Sequence, residues 1–311
     1  MFKTSRRSLL SLIAGLPIFR IANAAPDTFA LVPTDVVGQV FRYRQELRHV
    51  RNGALGHHSR AVVSLEVLAR DDDGWLARWT TRDSEIVDAD PRVRPMLESV
   101  QTMWDGVAVD LRLAPGGQVL GLADMPAMRV RAAASLDRMI ASICADPSRA
   151  AIAGQVRAAM QPILGNEAHL TGSLTKEAAI LLGAMSREFR VGEPLELRAR
   201  VPSPLGEGQI ATLGRFSVRG IDERRGQADI GWLMVVDRAH LSRSVGTGVQ
   251  ELAQRMGAEA DVADLSLDLD DRADFLVDTA TAWPIRVRHE RRVTSGALGR
   301  VDTLELTRVD G

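Results

Sequence analysis

Ser173-Leu174-Thr175-Lys176 places a serine and a lysine one helical turn apart, where the amine can assist the hydroxyl as a nucleophile. Enzymes built on that pair also need a second serine or tyrosine motif and a later Lys-Thr-Gly. No lysine follows Lys176, and Tyr43 is the only tyrosine. Ser173 therefore reads as a helix N-cap with Glu177 nearby. Gly206-Glu207-Gly208-Gln209-Ile210-Ala211 has the spacing of a dinucleotide fingerprint, which needs a strand before it and a helix after it. A β-like run follows instead, so a turn is expected.

Asp261, Asp264, Asp268, Asp270, Asp271 and Asp274 form an acidic run that lacks the glycine turn of a calcium loop. It reads as the solvated face of a strand. His57-His58 reads as part of a loop. There is no His-Glu-x-x-His for a zinc protease and no Gly-x-Ser-x-Gly for a hydrolase elbow. Cys144 is the only cysteine, which excludes an internal disulfide and a cysteine metal cluster. Its setting beside Met139, Ile140 and Ile143 predicts a buried helical position. No motif for flavin, nicotinamide, haem or an iron–sulfur cluster is present, so no cofactor and no metal site are expected.

Three polar residues are less easily dismissed. His289 and Arg291 share one strand face with Ile285, Val287 and Val293, and His49 shares another with Phe41, Tyr43 and Leu47. Polar groups on an apolar face need partners, because unpaired burial costs about 1–3 kcal/mol. His49, His289 and Arg291 are the candidate ligand-binding residues. Structural hydrogen bonding and an edge position are the alternatives.

The elements that must carry these residues are mostly strands. Val107, Val109, Leu111 and Leu113 alternate with polar residues, as do Val63, Leu65 and Val67, and Leu265, Leu267 and Leu269. Alternation of period two with one wet face points to antiparallel pairing. Asp73-Gly74, Gly116-Gly117 and Arg225-Gly226 mark hairpin turns, and Gly299 a further one. Val93, Met96, Leu97, Val100 and Met103 fit a helix, and so do Val245, Val249, Leu252 and Met256.

The element order is strands near 39–51, 59–70 and 74–86, a helix near 92–104, and strands near 106–113 and 117–123. It recurs as strands near 194–201, 208–221 and 226–237, a helix near 241–256, and strands near 262–278 and 284–294. A last strand is expected near 300–309. A helical middle near 125–187, broken at Pro147 and Pro162, separates the two. The expected class is α+β: a curved antiparallel sheet, a helical insertion packed on it, and a possible βββαββ duplication. The expected organisation is a leader over 1–24 and a single domain over 25–311, divided into 36–124, 125–187 and 188–311.

The leader, "SRRSLLSLIAGLPIFRIANA", has a basic start, an apolar run from Leu9 to Phe19, and a small-x-small cleavage site at Ala22-Asn23-Ala24. The apolar run is shorter than the ~20 residues a membrane-spanning helix needs. Arg6 and Arg7 resemble a twin-arginine export signal, although Leu9 and Ser11 replace its usual Phe and Lys. Arg20, a basic residue near the cut, fits that route better than general secretion. The partners this implies are the twin-arginine machinery and signal peptidase, and the compartment is the periplasm. Loss of the leader's four basic residues moves the formal charge from −1 to −5, which argues against nucleic acid as a partner.

"FLVDTATAWPIRVRHERRV" is similar to a strand pair in exported bacterial domains of unknown function. The matching positions are Asp278, Thr279, Trp283 and Pro284, with Ala282 where glycine is usual. "VDLRLAPGGQVLGL" looks like the first hairpin of the same domains. The resemblance implies a β-rich envelope protein and assigns no active site. The element order also resembles that of the outer-membrane lipoprotein carriers, an analogy of fold alone. The leading expectation is a non-enzymatic binder of an apolar ligand or an envelope partner, in a cleft between sheet and Met-bearing helices. A hydrolase assembled from dispersed Asp, His and Ser is the first alternative. A structural adaptor of an envelope complex is the second.

Overall fold

The computed structural model describes residues 28–34, 36–145, 150–202, 209–236, 241, 246, 267–295 and 298–309. Strand β1 (Thr28–Ala30) pairs with β7 (Glu188–Arg190) in a small sheet of two. The first large group is β2 (Val40–Arg51), β3 (Ala54–Asp71), β4 (Gly74–Ala89), α1 (Arg94–Trp104), β5 (Ala108–Leu113) and β6 (Val119–Leu122). Three helices follow: α2 (Met125–Cys144), α3 (Ala150–Gly165) and α4 (Glu167–Leu181). The second group is β8 (Leu195–Pro202), β9 (Gln209–Asp222), β10 (Gln227–Val236), β11 (Leu267–Asp278), β12 (Pro284–Ser295) and β13 (Leu298–Arg308).

Both groups join in one open antiparallel sheet, ordered β6-β5-β4-β3-β2-β13-β12-β11-β10-β9-β8. The fold is α+β, as the alternating pattern predicts. Each group steps to its neighbour in chain order, and both advance in the same direction across the sheet. The seam between them is β2 against β13, from Tyr43↔Arg308 to Arg51↔Arg300. The helix expected near 241–256 lies outside the described residues, apart from Leu241 and Gly246.

Alternation explains which face is dry. In β5, Val109, Leu111 and Leu113 are buried between Asp110 and Arg112. In β3, Ala61, Val63, Leu65 and Val67 are buried in the same way. The Asp71-to-Gly74 hairpin is closed by Asp73 N–H donating to Asp71 Oδ1 at 3.0 Å. Gly74 has φ +135, and a Cβ there would lie 2.0 Å from the Leu113 carbonyl oxygen, so no side chain fits. The sheet's dry face is covered by helices. Met128 and Ala132 of α2, and Leu170, Ala178 and Leu181 of α4, belong to the same buried cluster as Val63, Leu65, Phe275 and Leu306.

Several local expectations need correction. Helix α3 runs through Pro162 and stops at Gly165. The break falls where Asn166, with extended backbone, accepts a hydrogen bond from His169 N–H and caps α4. That leaves Ser173 inside α4 rather than at its N-cap. His57 and His58 lie in β3, not in a loop. Cys144 is exposed. The buried stripe of α2 runs Met128, Ala132, Leu136, Met139, Ile143, so residue 144 turns away from it.

The segment before β12 closes one end of the sheet. Trp283 stacks on Phe41 at 4.6 Å between ring centroids. Tyr43 donates its hydroxyl proton to the Pro284 carbonyl at 2.9 Å. Ala282 has φ +63, in the left-handed region that glycine adopts without strain.

Candidate functional site

The other end of the same strands carries a polar row. Register alone assembles it: His57 pairs with His49, His49 with Asp302, Asp302 with Arg291, and Arg291 with Asp271. The row therefore crosses β3, β2, β13, β12 and β11 on the face that is dry farther along. The structure brings His49, His289 and Arg291 into this one neighbourhood, linked by two aspartates that the sequence reading did not single out.

Each aspartate is held by one histidine and one arginine. Asp271 is fully buried. It accepts hydrogen bonds from His289 Nε2 and from Arg291 Nε, the latter at 2.8 Å. Asp302 accepts from His49 Nδ1 and from Arg300 Nε at 3.0 Å. Burial alone raises a carboxyl, but in both aspartates the ionic hydrogen bonds outweigh it and hold the group below its ordinary value. His57 stacks on His49 at 5.3 Å. Burial, and then the neighbouring His49, lower the His57 value. Trp232 lies flat against His289 at 6.4 Å.

This row is electrically self-satisfied. Among the described residues, the side-chain partners of His49 and His289 are Asp302 and Asp271, and neither histidine hydrogen-bonds a serine, threonine or cysteine. No group of three or more His, Cys, Asp or Glu side chains there is arranged to hold a metal ion. His58 turns to the opposite face, where Nε2 stands 3.5 Å from Glu46 Oε2 without hydrogen-bond alignment.

One pairing step from the row, between Leu47↔Ser59 and the closed end, the sheet floors a cavity of about 340 Å³. Leu47, Ala61, Trp79 and Val109 form its floor, α1 contributes Val100 and Trp104, and α4 contributes Ser173, Leu174 and Glu177. Gln45, Ser59 and Thr81 add polar atoms. Glu177 is the notable lining residue. Burial pushes its carboxyl above the ordinary glutamate value, opposed by its own backbone N–H and then by Lys176. Helix α1, which carries Met96 and Met103, forms one wall, but its methionines do not reach the cavity. Met128, Met139 and Met185 are packed into the cores, and among the described residues no methionine lines this cavity.

The acidic run of β11 also needs correction at one position. Asp271 shares the parity of Ala273 and Phe275, which are buried, whereas Asp274 is exposed. The signal was present in the alternation, since Asp271 is two residues beyond Leu269. Glu177 had no comparable signal, because its place depends on how α4 docks.

Arg6, Arg7, Arg20, Ala22 and Ala24 lie outside the described residues. Gly206 and Gly208 do too, but Gln209–Asp222 is a strand, which excludes a helix directly after that motif. No described helix is long and apolar enough to cross a membrane.

No family model and no curated protein matches the chain. Solved structures do match. One is described as "Lipid-protein interactions in lipovitellin", with 10% sequence identity and a TM-score of 0.47. It covers 89% of this chain and 25% of the matched chain, so this chain spans about a quarter of that protein's length. A likeness at this level carries no argument about function.

Proposed function

We propose that the chain is a binding protein that takes an apolar ligand into the cavity between α1, α4 and the sheet. The observation that carries this reading is the cavity itself: a partly open cleft floored by aliphatic and indole groups, rimmed by polar side chains, and within the ~300–1,000 Å³ typical of small-molecule sites. Helix α1, which forms one wall, has Met103 as its only buried residue. Weak packing of that kind suits the element that moves aside for a ligand.

The test uses Nile red, an uncharged apolar fluorophore, with the mature protein. Saturable binding with energy transfer from Trp79 and Trp104 is expected, together with a raised melting temperature. Ala61→Phe fills the floor of the cavity. It should abolish the binding while leaving the circular dichroism spectrum unchanged. Absent saturation, or binding indifferent to Ala61→Phe, counts against the proposal.

Export belongs to the same proposal. The Arg6-Arg7 pair, Arg20 and the Ala22-Asn23-Ala24 site support cleavage of 1–24 and delivery of 25–311 as a single domain to the periplasm. There the partner is an apolar small molecule or an envelope protein. Replacing Arg6 and Arg7 by Lys keeps the charge and should leave uncut precursor in the cytoplasm. Normal processing of that variant would sink the twin-arginine assignment.

A further inference from the structure

The cavity has an unbalanced charge. Glu177 is its one carboxylate side chain, and no other side chain among the described residues hydrogen-bonds it. The only basic lining residue is Arg60, which lies at the rim, 46% exposed and already within 4.0 Å of both Glu46 and Glu85. Lys176 stands next to Glu177 in the chain but is exposed and does not line the cavity. Two indoles, Trp79 and Trp104, line the same space. Glu177 is half-buried on the cavity wall, and a partly desolvated carboxylate without an ionic partner is unfavourable, so an incoming cation is the partner that relieves it. Indole faces attract cations, quaternary ammonium groups above all. An anionic head would meet Glu177 with like charge in a poorly solvated space.

Resting on the cavity reading above, we propose that the ligand is a cationic amphiphile, an alkyl chain bearing an amine or quaternary ammonium that sits at Glu177 between Trp79 and Trp104. Two further consequences follow. Cation binding draws the proton off Glu177, so affinity rises with pH through the raised value of that carboxyl. The other charged groups near it are Arg60, on β3 at the rim, and Lys176, beside it on α4. Chain-matched uncharged ligands lack this pH dependence.

The experiment compares decyltrimethylammonium, decanol and decyl sulfate, all below micelle-forming concentration, by displacement of Nile red and by direct calorimetry. The cation is expected to bind about tenfold more tightly than decanol, and decyl sulfate more weakly than both. Glu177→Gln should erase the advantage of the cation and its pH dependence, with decanol changed by less than about threefold. Gln is close in shape and uncharged, so the fold should persist, and a Glu177→Asp variant should retain part of the preference. Equal binding of all three ligands overturns the charge assignment and leaves the cavity reading standing. So does a preference for decyl sulfate, or a cation advantage that survives Glu177→Gln. Failure of Nile red and of all three ligands to bind overturns both.

Discussion

Strand β2 carries Phe41 and Tyr43 near its start and His49 near its end, and the two ends solve burial in opposite ways. At the first end, Phe41 lies against Trp283 and Tyr43 reaches the Pro284 carbonyl, so apolar area and one hydrogen bond hold the seam. At the second, the same face of the same strands carries Asp302 and Asp271, each clasped by a histidine and an arginine. Along β2 and β13 the alternation is unbroken between them. Strand period decides which face a residue takes, while the cover above that face decides whether it must be dry or paired. The cavity lies between these two regimes.

The largest effect that separates them is expected from Trp283→Ala. Loss of a fully buried indole should destabilise by about 3–5 kcal/mol, read as a shifted urea midpoint. The row should respond nearly as strongly at its buried member. Asp271→Ala leaves Arg291 and His289 without their acceptor and should cost about 3 kcal/mol.

The two variants differ in how they respond to acid. Asp271 and Asp302 have folded values below the ordinary aspartate range. Between folded and unfolded values the unfolded chain binds more protons, so stability rises with pH there. Their contribution is present in full above about pH 4 and fades as the pH falls through the folded values. Trp283→Ala should retain this acid sensitivity, whereas Asp271→Ala should flatten the curve of melting temperature against pH. Parallel curves for the two would erase the distinction between the ends.

Smaller effects sharpen it. Asp302 is partly exposed, and Asp302→Asn keeps a hydrogen-bond acceptor, so a loss near 1 kcal/mol is expected, diminishing in high salt. At the dry end, Ala282→Gly should stabilise by up to about 1 kcal/mol, because φ +63 strains an alanine and suits glycine. A destabilised glycine variant would mean that the methyl group's packing outweighs the backbone strain.

The sheet was largely legible because its strands alternate and its hairpins carry glycine turns. Residues 40–51, 74–89 and 284–295 start and stop within a few positions of where polarity and turn residues place them. The face of His49, His289 and Arg291 was legible for the same reason. What linked them was not, because pairing β13 with β2 and β12 brings Asp302 beside His49 and Arg291 across distances that no local pattern encodes. Asp271 was hidden by its acidic neighbours, although its parity with Leu269 and Ala273 gave it away. Helical details fared worse. Ser173 and Asn166 are both competent caps, and only the docking of α4 decides between them. Glu177 looks like any surface glutamate until the helix is set on the sheet.

The seam between β2 and β13 also governs the order of events during synthesis. His49 and Asp302, hydrogen-bonded in the finished sheet, are separated by 253 residues of chain. Contacts of such long range form slowly, since chain entropy is lost before they return any stability. While the ribosome is still making the second group of strands, β2 is an uncovered edge and an invitation to pair with the wrong neighbour. The strand that ends this exposure is the last one described. A nascent chain built this way benefits from remaining in the compartment of its synthesis until the seam has closed.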